Sequence, residues 1–266
     1  MNRRHFLAAT GIGSGVSLPL AGRLESGPDS TTFDPHLPAP TEPPALPPGP
    51  EDAPERPTEV TAEHVSAYVS GYEHALAYNT LECHDLREID VASDAVLETE
   101  TDHGIYAFAV ATGYSRCGAG SVPEHRDYGP PPIEWAVGEE YAVRIGDDAT
   151  RYRNAERTFG TDHGDGRASG FAVTNFDYLA HDVTVTVTHE GDTVYEEIVA
   201  LEPRSAVHVR NVSAAPGDHG VSVETDEGAT ASGTWTVDPN RNASRVVRVL
   251  VTGEVSIERR EPYGEF

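Results

Sequence analysis

The sequence predicts a mainly β protein: a small α+β domain, built from one helix and an antiparallel meander, followed by an antiparallel β-sandwich. Three patterns carry this reading. Val65, Tyr68, Val69, Tyr72, Leu76 and Asn79 recur at helical spacing. Between 87 and 159 the apolar runs alternate with period two, as in Tyr106, Phe108 and Val110 set between Ala107, Ala109 and Ala111. From Ser169 to about Arg260 the chain is nearly all short alternating runs broken by turn residues, Val183-Thr184-Val185-Thr186-Val187-Thr188 being the strictest.

The elements follow in order. Arg3 and Arg4 precede Phe6 and Leu7, and a weakly apolar run to Leu20 is interrupted by Gly11, Gly13 and Gly15. A cationic start before a short apolar core predicts an export signal over 1–22, and the arginine pair specifies the twin-arginine route. The run is too short and glycine-rich for a confident spanning helix, which needs about 20 predominantly apolar residues. Leu20-Ala21-Gly22-Arg23 places arginine where a lipoprotein box carries its lipidated cysteine, so the attachment thiol is missing. An uncleaved signal is then the remaining route to a membrane.

Eleven prolines fall between 28 and 57. Proline blocks helix and central strand, so 23–57 is expected to be a disordered linker. The α+β domain is expected over 58–160. Thr58 or Thr61 can cap its helix, Glu63, Ser66, Ser70 and Glu73 are expected to face outward, and strands are expected at 87–97, 105–113, 133–145 and 150–159. The alternation in the second strand puts bulky side chains on one face and alanines on the other, where a helix can lie close. This layer pair resembles a cystatin-like arrangement. The proline-rich loop from Gly118 to Pro132 interrupts the meander. A hinge is expected over 161–168, about eight sandwich strands over 169–260 with Trp235 as the large core aromatic, and a tail over 261–266.

Charge narrows the function. The 266 residues hold 19 basic and 44 acidic side chains, a net charge of −25, and every cation is arginine because there is no lysine. Phosphate binding needs clustered cations, so nucleic acid is excluded as an expected partner. Without lysine there is no Walker-A phosphate lysine, Schiff base or S-x-x-K nucleophile. So acidic a surface repels itself at low salt, and molar salt screens that repulsion. The composition therefore points to adaptation to brine.

Few motifs carry chemistry. Cys83 and Cys117 in an exported chain predict a disulfide, against buried free thiols or a reactive pair. Cys83, His84, Cys117 and His125 form the nearest approach to a zinc site, without C-x-x-C or H-x-x-x-H spacing. His189-Glu190-Gly191-Asp192-Thr193 begins like H-E-x-x-H but has threonine for the second histidine and a hairpin signal in place of a helix. Tyr68, Tyr72, Phe108, Trp135 and Tyr141 could line a pocket between helix and sheet, with core packing the default. Asn211-Val212-Ser213 and Asn242-Ala243-Ser244 are glycosylation sequons, making Asn211 and Asn242 candidate modification sites.

Asn175-Phe176-Asp177, His181-Asp182-Val183, Gly191-Asp192-Thr193-Val194-Tyr195-Glu196-Glu197, Pro216-Gly217 and Thr234-Trp235-Thr236-Val237-Asp238 together resemble the immunoglobulin-like sandwich of haloarchaeal exported proteins and lipoproteins. The export signal and the missing lysine agree with that setting. The resemblance implies an extracellular or cell-surface location, an Ig-like fold and no particular chemistry. The reading is thus an exported, non-catalytic binding or structural protein, with no cofactor, catalytic residue or metal ligand assigned, and an extracellular protein or cell-envelope component as partner. The competing readings are an extracellular hydrolase, with a site in the first domain or the interdomain cleft, and a small-ligand or ion binder.

Overall fold

Helix α1 (Ala62–Leu81) forms where the stripe places it, and the Thr61 hydroxyl caps it by accepting the His64 amide at 3.3 Å. The computed structural model describes residues 41–119, 124–160, 168–238 and 244–260. The expected signal, residues 23–40 of the expected linker, residues 161–167 of the expected hinge, Asn242 and the tail lie outside them.

The helix packs on a sheet of β1 (Glu88–Thr101), β2 (Gly104–Cys117), β3 (Glu124–Tyr128), β4 (Ile133–Val137) and β5 (Ala142–Ile145), ordered β1-β2-β4-β5 with β3 also on β2. All its pairings are antiparallel. The expected run 133–145 is divided into β4 and β5 by a turn in which the Gly138 amide donates to the Tyr141 carbonyl at 2.9 Å. Strand β3 lies inside the segment expected to be only a loop.

Alternation along β2 separates the two faces as expected. Ala107 and Ala109 lie under Val65, Tyr68, Val69 and Tyr72 of the helix, joined by Trp135. Tyr106 points the other way, into a second cluster with Tyr141, Val143, Phe176, Leu250 and Val251. Two residues expected to face outward turn inward. Glu73 is fully buried, and Ser70 faces β1, where its hydroxyl and that of Ser93 meet at 3.1 Å.

After a 3₁₀ turn at Asp147–Ala149 come β6 (Thr150–Asn154), β7 (Ser169–Asn175), β8 (His181–His189), β9 (Asp192–Leu201), β10 (Ser205–Ser213), β11 (Gly217–Thr225), β12 (Thr230–Val237), β13 (Ser244–Val249) and β14 (Val255–Arg260). They form two sheets, β14-β13-β7-β10-β6 and β12-β11-β8-β9. The second is antiparallel throughout. The first is mixed, with β6 parallel to β10 and β13 parallel to β7. The strand expected over 150–159 is therefore shorter, and it pairs in the sandwich instead of the preceding meander. Trp235, Val185, Val199, Val223 and Val247 meet between the sheets, while Thr234 and Thr236 beside the tryptophan are exposed. The molecule is mainly β, a helix-covered sheet followed by an Ig-like sandwich.

Residues 41–57, expected to belong to a disordered linker, lie against the body. Thr41 bridges to Tyr141 beyond β5, exchanging backbone bonds with Glu140 and Ala142 at 3.2 and 2.8 Å. Leu46 packs into the cluster beneath α1. Proline forbids regular structure here, but it leaves carbonyls and ring surface that side chains of the body can meet.

Candidate functional site

The five aromatics proposed to share a pocket do not come together. Tyr68 and Tyr72 of α1 pack edge-on against Trp135, with ring centroids 5.9 and 5.0 Å away. Tyr141 belongs to the opposite face of the sheet, where its hydroxyl donates to the His103 carbonyl at 2.8 Å. Phe108 shares the strand parity of Tyr106 and so points to that second face as well. One sheet separates the two groups.

Beneath the helix the aromatic cluster holds a charge. Glu73 Oε1 accepts from Trp135 Nε1 at 2.9 Å and from Arg144 Nε at 2.8 Å, and its Oε2 takes Arg144 Nη2 at 3.2 Å. This bidentate pair spans α1 and β5. On the opposite face, buried Arg248 of β13 pairs with Glu98 of β1 and with Glu134 of β4, the latter at 3.4 Å. The Val251 amide also donates to the Tyr106 hydroxyl at 3.1 Å, and Tyr106 meets Phe176 edge-on at 5.2 Å. Burial pushes the Tyr106 phenol up to about 12. The sandwich and the helix-bearing sheet are thus joined by packed rings, the Val251–Tyr106 hydrogen bond and a buried arginine.

The sandwich holds two imidazole networks. Its carbonyl partner fixes the tautomer of His219: Nδ1–H donates to Gly217 at 3.2 Å, leaving Nε2 to accept from the Ser213 hydroxyl at 2.9 Å. Ser213 in turn accepts the Ala215 amide at 3.2 Å. His189 lies over His219 with centroids 4.4 Å apart. Burial lowers the His219 pKa, the Gly217 bond opposes this, and the neighbouring His189 adds to it. The second network sets His181 Nε2 3.0 Å from Asp177 and Nδ1 3.4 Å from Asp226. Asp177 also accepts the Tyr178 amide at 2.6 Å, so this network pins the turn before β8.

These arrangements fit structure better than catalysis. A serine nucleophile must reach substrate and needs its base oriented toward it. Ser213 and His219 are both 0% exposed, and the imidazole is held by a carbonyl in place of a carboxylate. The weak zinc cluster has spent its thiols, since Cys83 and Cys117 form a disulfide with Cα atoms 6.0 Å apart. His84 and His125 pair with Asp85 and Asp127 at 3.6 and 2.9 Å. The H-E-x-x-H look-alike is the β8–β9 hairpin, whose turn residues Glu190 and Gly191 both have positive φ, as a two-residue type I′ turn requires.

The sequon at Asn211 is divided by the fold. Asn211 is exposed, with φ 59°, and its amide donates to Asn154 Oδ1 at 3.0 Å. Its Ser213 is the serine buried against His219. Arg3, Arg4, Phe6, Leu7 and Asn242 lie outside the described residues.

The ionic pairs escaped the sequence reading because charged residues are abundant and their partners lie far along the chain. Glu73 did carry a signal: it follows Tyr72 and sits four residues after Val69, at the edge of the apolar stripe.

Comparison with known families agrees with the sandwich. Residues 179–264 match the family described as the halobacterial Ig-like domain. That span takes in strands β8 to β14, about a third of the chain. No curated protein and no solved structure matches the chain.

Proposed function

We propose that this is an exported protein of the haloarchaeal cell surface or surroundings, with a non-catalytic binding or structural role. The match of 179–264 to the halobacterial Ig-like domain is the observation that carries the proposal. The Cys83–Cys117 disulfide supports a compartment outside the reducing cytoplasm. The lysine-free, acidic composition supports work in brine. Spending buried charge on joining elements supports a rigid module over a reactive one. The Arg3-Arg4 pair supports export by the twin-arginine route.

The test is expression of the full chain in a haloarchaeal host, with surface proteolysis and fractionation. The protein is expected in the envelope or medium, and the R3K/R4K double variant in the cytoplasm. Cytoplasmic retention of the unaltered chain would overturn export. Turnover of ester, glycoside or peptide substrates by the purified protein at molar salt would overturn the non-catalytic role.

A further inference from the structure

A proline-rich segment has a peculiar chemistry. Its carbonyls have few amides of their own to bond, and its backbone is already restrained, so a receptor that supplies donors and apolar walls binds it at small entropic cost. One flank of α1, at the margin of its buried face, supplies both. Asn79 donates through Nδ2 to the Pro47 carbonyl at 3.1 Å and the Glu51 carbonyl at 2.8 Å, and its Oδ1 accepts the Glu51 amide at 3.1 Å. The buried Tyr72 hydroxyl donates to the Pro44 carbonyl. Leu46 enters the core cluster between these two contacts.

The segment bends at 48–50, where Gly49 passes so close that a Cβ would lie 2.2 Å from Asn79 Oδ1. It then returns along the helix. Pro54 lies over Gly71, 3.6 Å from where a Cβ would stand, and Arg56 closes the loop on Glu42 at 3.5 Å. Asn79 therefore reads the backbone on both limbs of a closed loop, and neither limb shares a hydrogen-bond ladder with the sheet.

We propose that this side of α1 is a recognition groove for proline-rich extended segments, that residues 42–56 are its resident ligand, and that they form a latch able to open while the rest of the fold stays intact. Thr41, held independently beside β5, keeps the open latch tethered. In the native chain the tethered segment outcompetes free peptide, because intramolecular effective concentrations reach the mM range.

Native-state hydrogen exchange on the full chain at molar salt tests the latch without a variant, with the Glu51 amide as reporter. Glu51 should exchange through a local opening at least roughly 10-fold more frequent than that of the Val185 amide in the sandwich core. Matched exchange at the two sites would overturn the latch. The groove is tested with a fluorescent peptide of residues 42–56 and full-length G49A and N79A. In G49A the added Cβ displaces the strap, so Glu51 exchange should rise and the wild-type peptide should bind saturably. N79A should free Glu51 yet fail to bind peptide, and unaltered protein should bind none. Failure of G49A to take up peptide although its Glu51 amide has opened, or equal uptake by N79A, would overturn the groove.

Discussion

Arg248 of β13 is completely buried, and its guanidinium faces the Glu134 carboxylate of β4 at 3.4 Å, a contact 114 residues apart in sequence. Glu98 of β1 pairs with the same guanidinium. One cation from the sandwich thus lies against two acids of the helix-bearing sheet. Removing one member of a buried ionic group leaves charge without its counter-ion, which typically costs about 3–5 kcal/mol. R248M should lose stability on that scale in chemical denaturation. The triple variant R248M/E98Q/E134Q should recover part of the loss, because desolvated charge leaves with the arginine. A loss under about 1 kcal/mol for R248M would mean that water reaches the carboxylates.

The Glu73–Arg144 pair makes a parallel case with a built-in control. Arg144 keeps 10% of its side-chain exposure and Glu73 none. E73L should cost about 3–5 kcal/mol, because it strands the guanidinium and leaves the Trp135 indole N–H without its acceptor. W135F removes one hydrogen bond and some ring volume, and should cost less. In a double-mutant cycle E73L and R144M should be strongly non-additive, since either change alone abolishes the same pair. Additive losses would show that the two residues act independently.

Residue chemistry explains what could be read in advance. The α1 stripe, the alanine face of β2 and the Val-Thr alternation of β8 are local periodicities, so helix, layer order and sandwich were legible. The disulfide was legible because only two cysteines exist. Other features misled. Proline density in 41–57 signals the lack of regular structure, which is correct, but says nothing about docking, which depends on Asn79 and Tyr72 elsewhere in the chain. The run 150–159 has strand character whichever sheet receives it, and its parallel pairing with β10 is a long-range choice. The five aromatics, for which core packing was the default expectation, divide between two faces for a related reason: parity along β2 sends Phe108 away from α1, and only the register of the whole sheet reveals where Tyr141 goes.

His219 predicts an acid limb in stability. Burial holds its pKa below the ordinary 6.5, with His189 adding to the effect. The unfolded chain therefore takes up a proton on acidification before the native state does. Stability is full above about pH 6.5 and falls as the pH drops below it, since the state binding more protons is favoured. H219Q can keep a hydrogen-bonding group near Ser213 without titrating. Between pH 8 and 5 its unfolding free energy should fall less than that of the unaltered protein. Equal declines would assign the acid limb to other groups.

The disulfide should act mainly through the unfolded chain. Cys83 and Cys117 are 34 residues apart and tie the segment after α1 to the end of β2. Closing a loop of that length contributes about 4 kcal/mol in the chain-entropy account. C83A/C117A should lose about 2–4 kcal/mol, and its hydrogen exchange should rise most near the C-terminal turn of α1, where the Ser115 hydroxyl bonds the Leu81 carbonyl at 2.8 Å. Unchanged stability would mean that this bond and the surrounding packing already hold the junction.

Charge gives the broadest prediction. A chain with 44 acids, 19 arginines and no lysine carries repulsion over its whole surface. The Debye length falls from about 10 Å at 0.1 M salt to about 3 Å at 1 M, so added salt should relieve that repulsion. Tm should climb between 0.1 and 2 M potassium chloride, and the protein should loosen on dilution. The buried pairs separate this mechanism from its rival. Arg248 with Glu134, and Arg144 with Glu73, lie inside the molecule, where mobile ions barely screen them. R248M should therefore start from a lower Tm yet climb with the same slope as the unaltered protein. Replacing exposed acids on the outer face of the sandwich, as in E196Q/E224Q, should flatten the slope. Equal Tm at both salt concentrations would overturn the reading of this surface as one built for brine, and a slope lost in R248M would place the salt dependence in the interior junction.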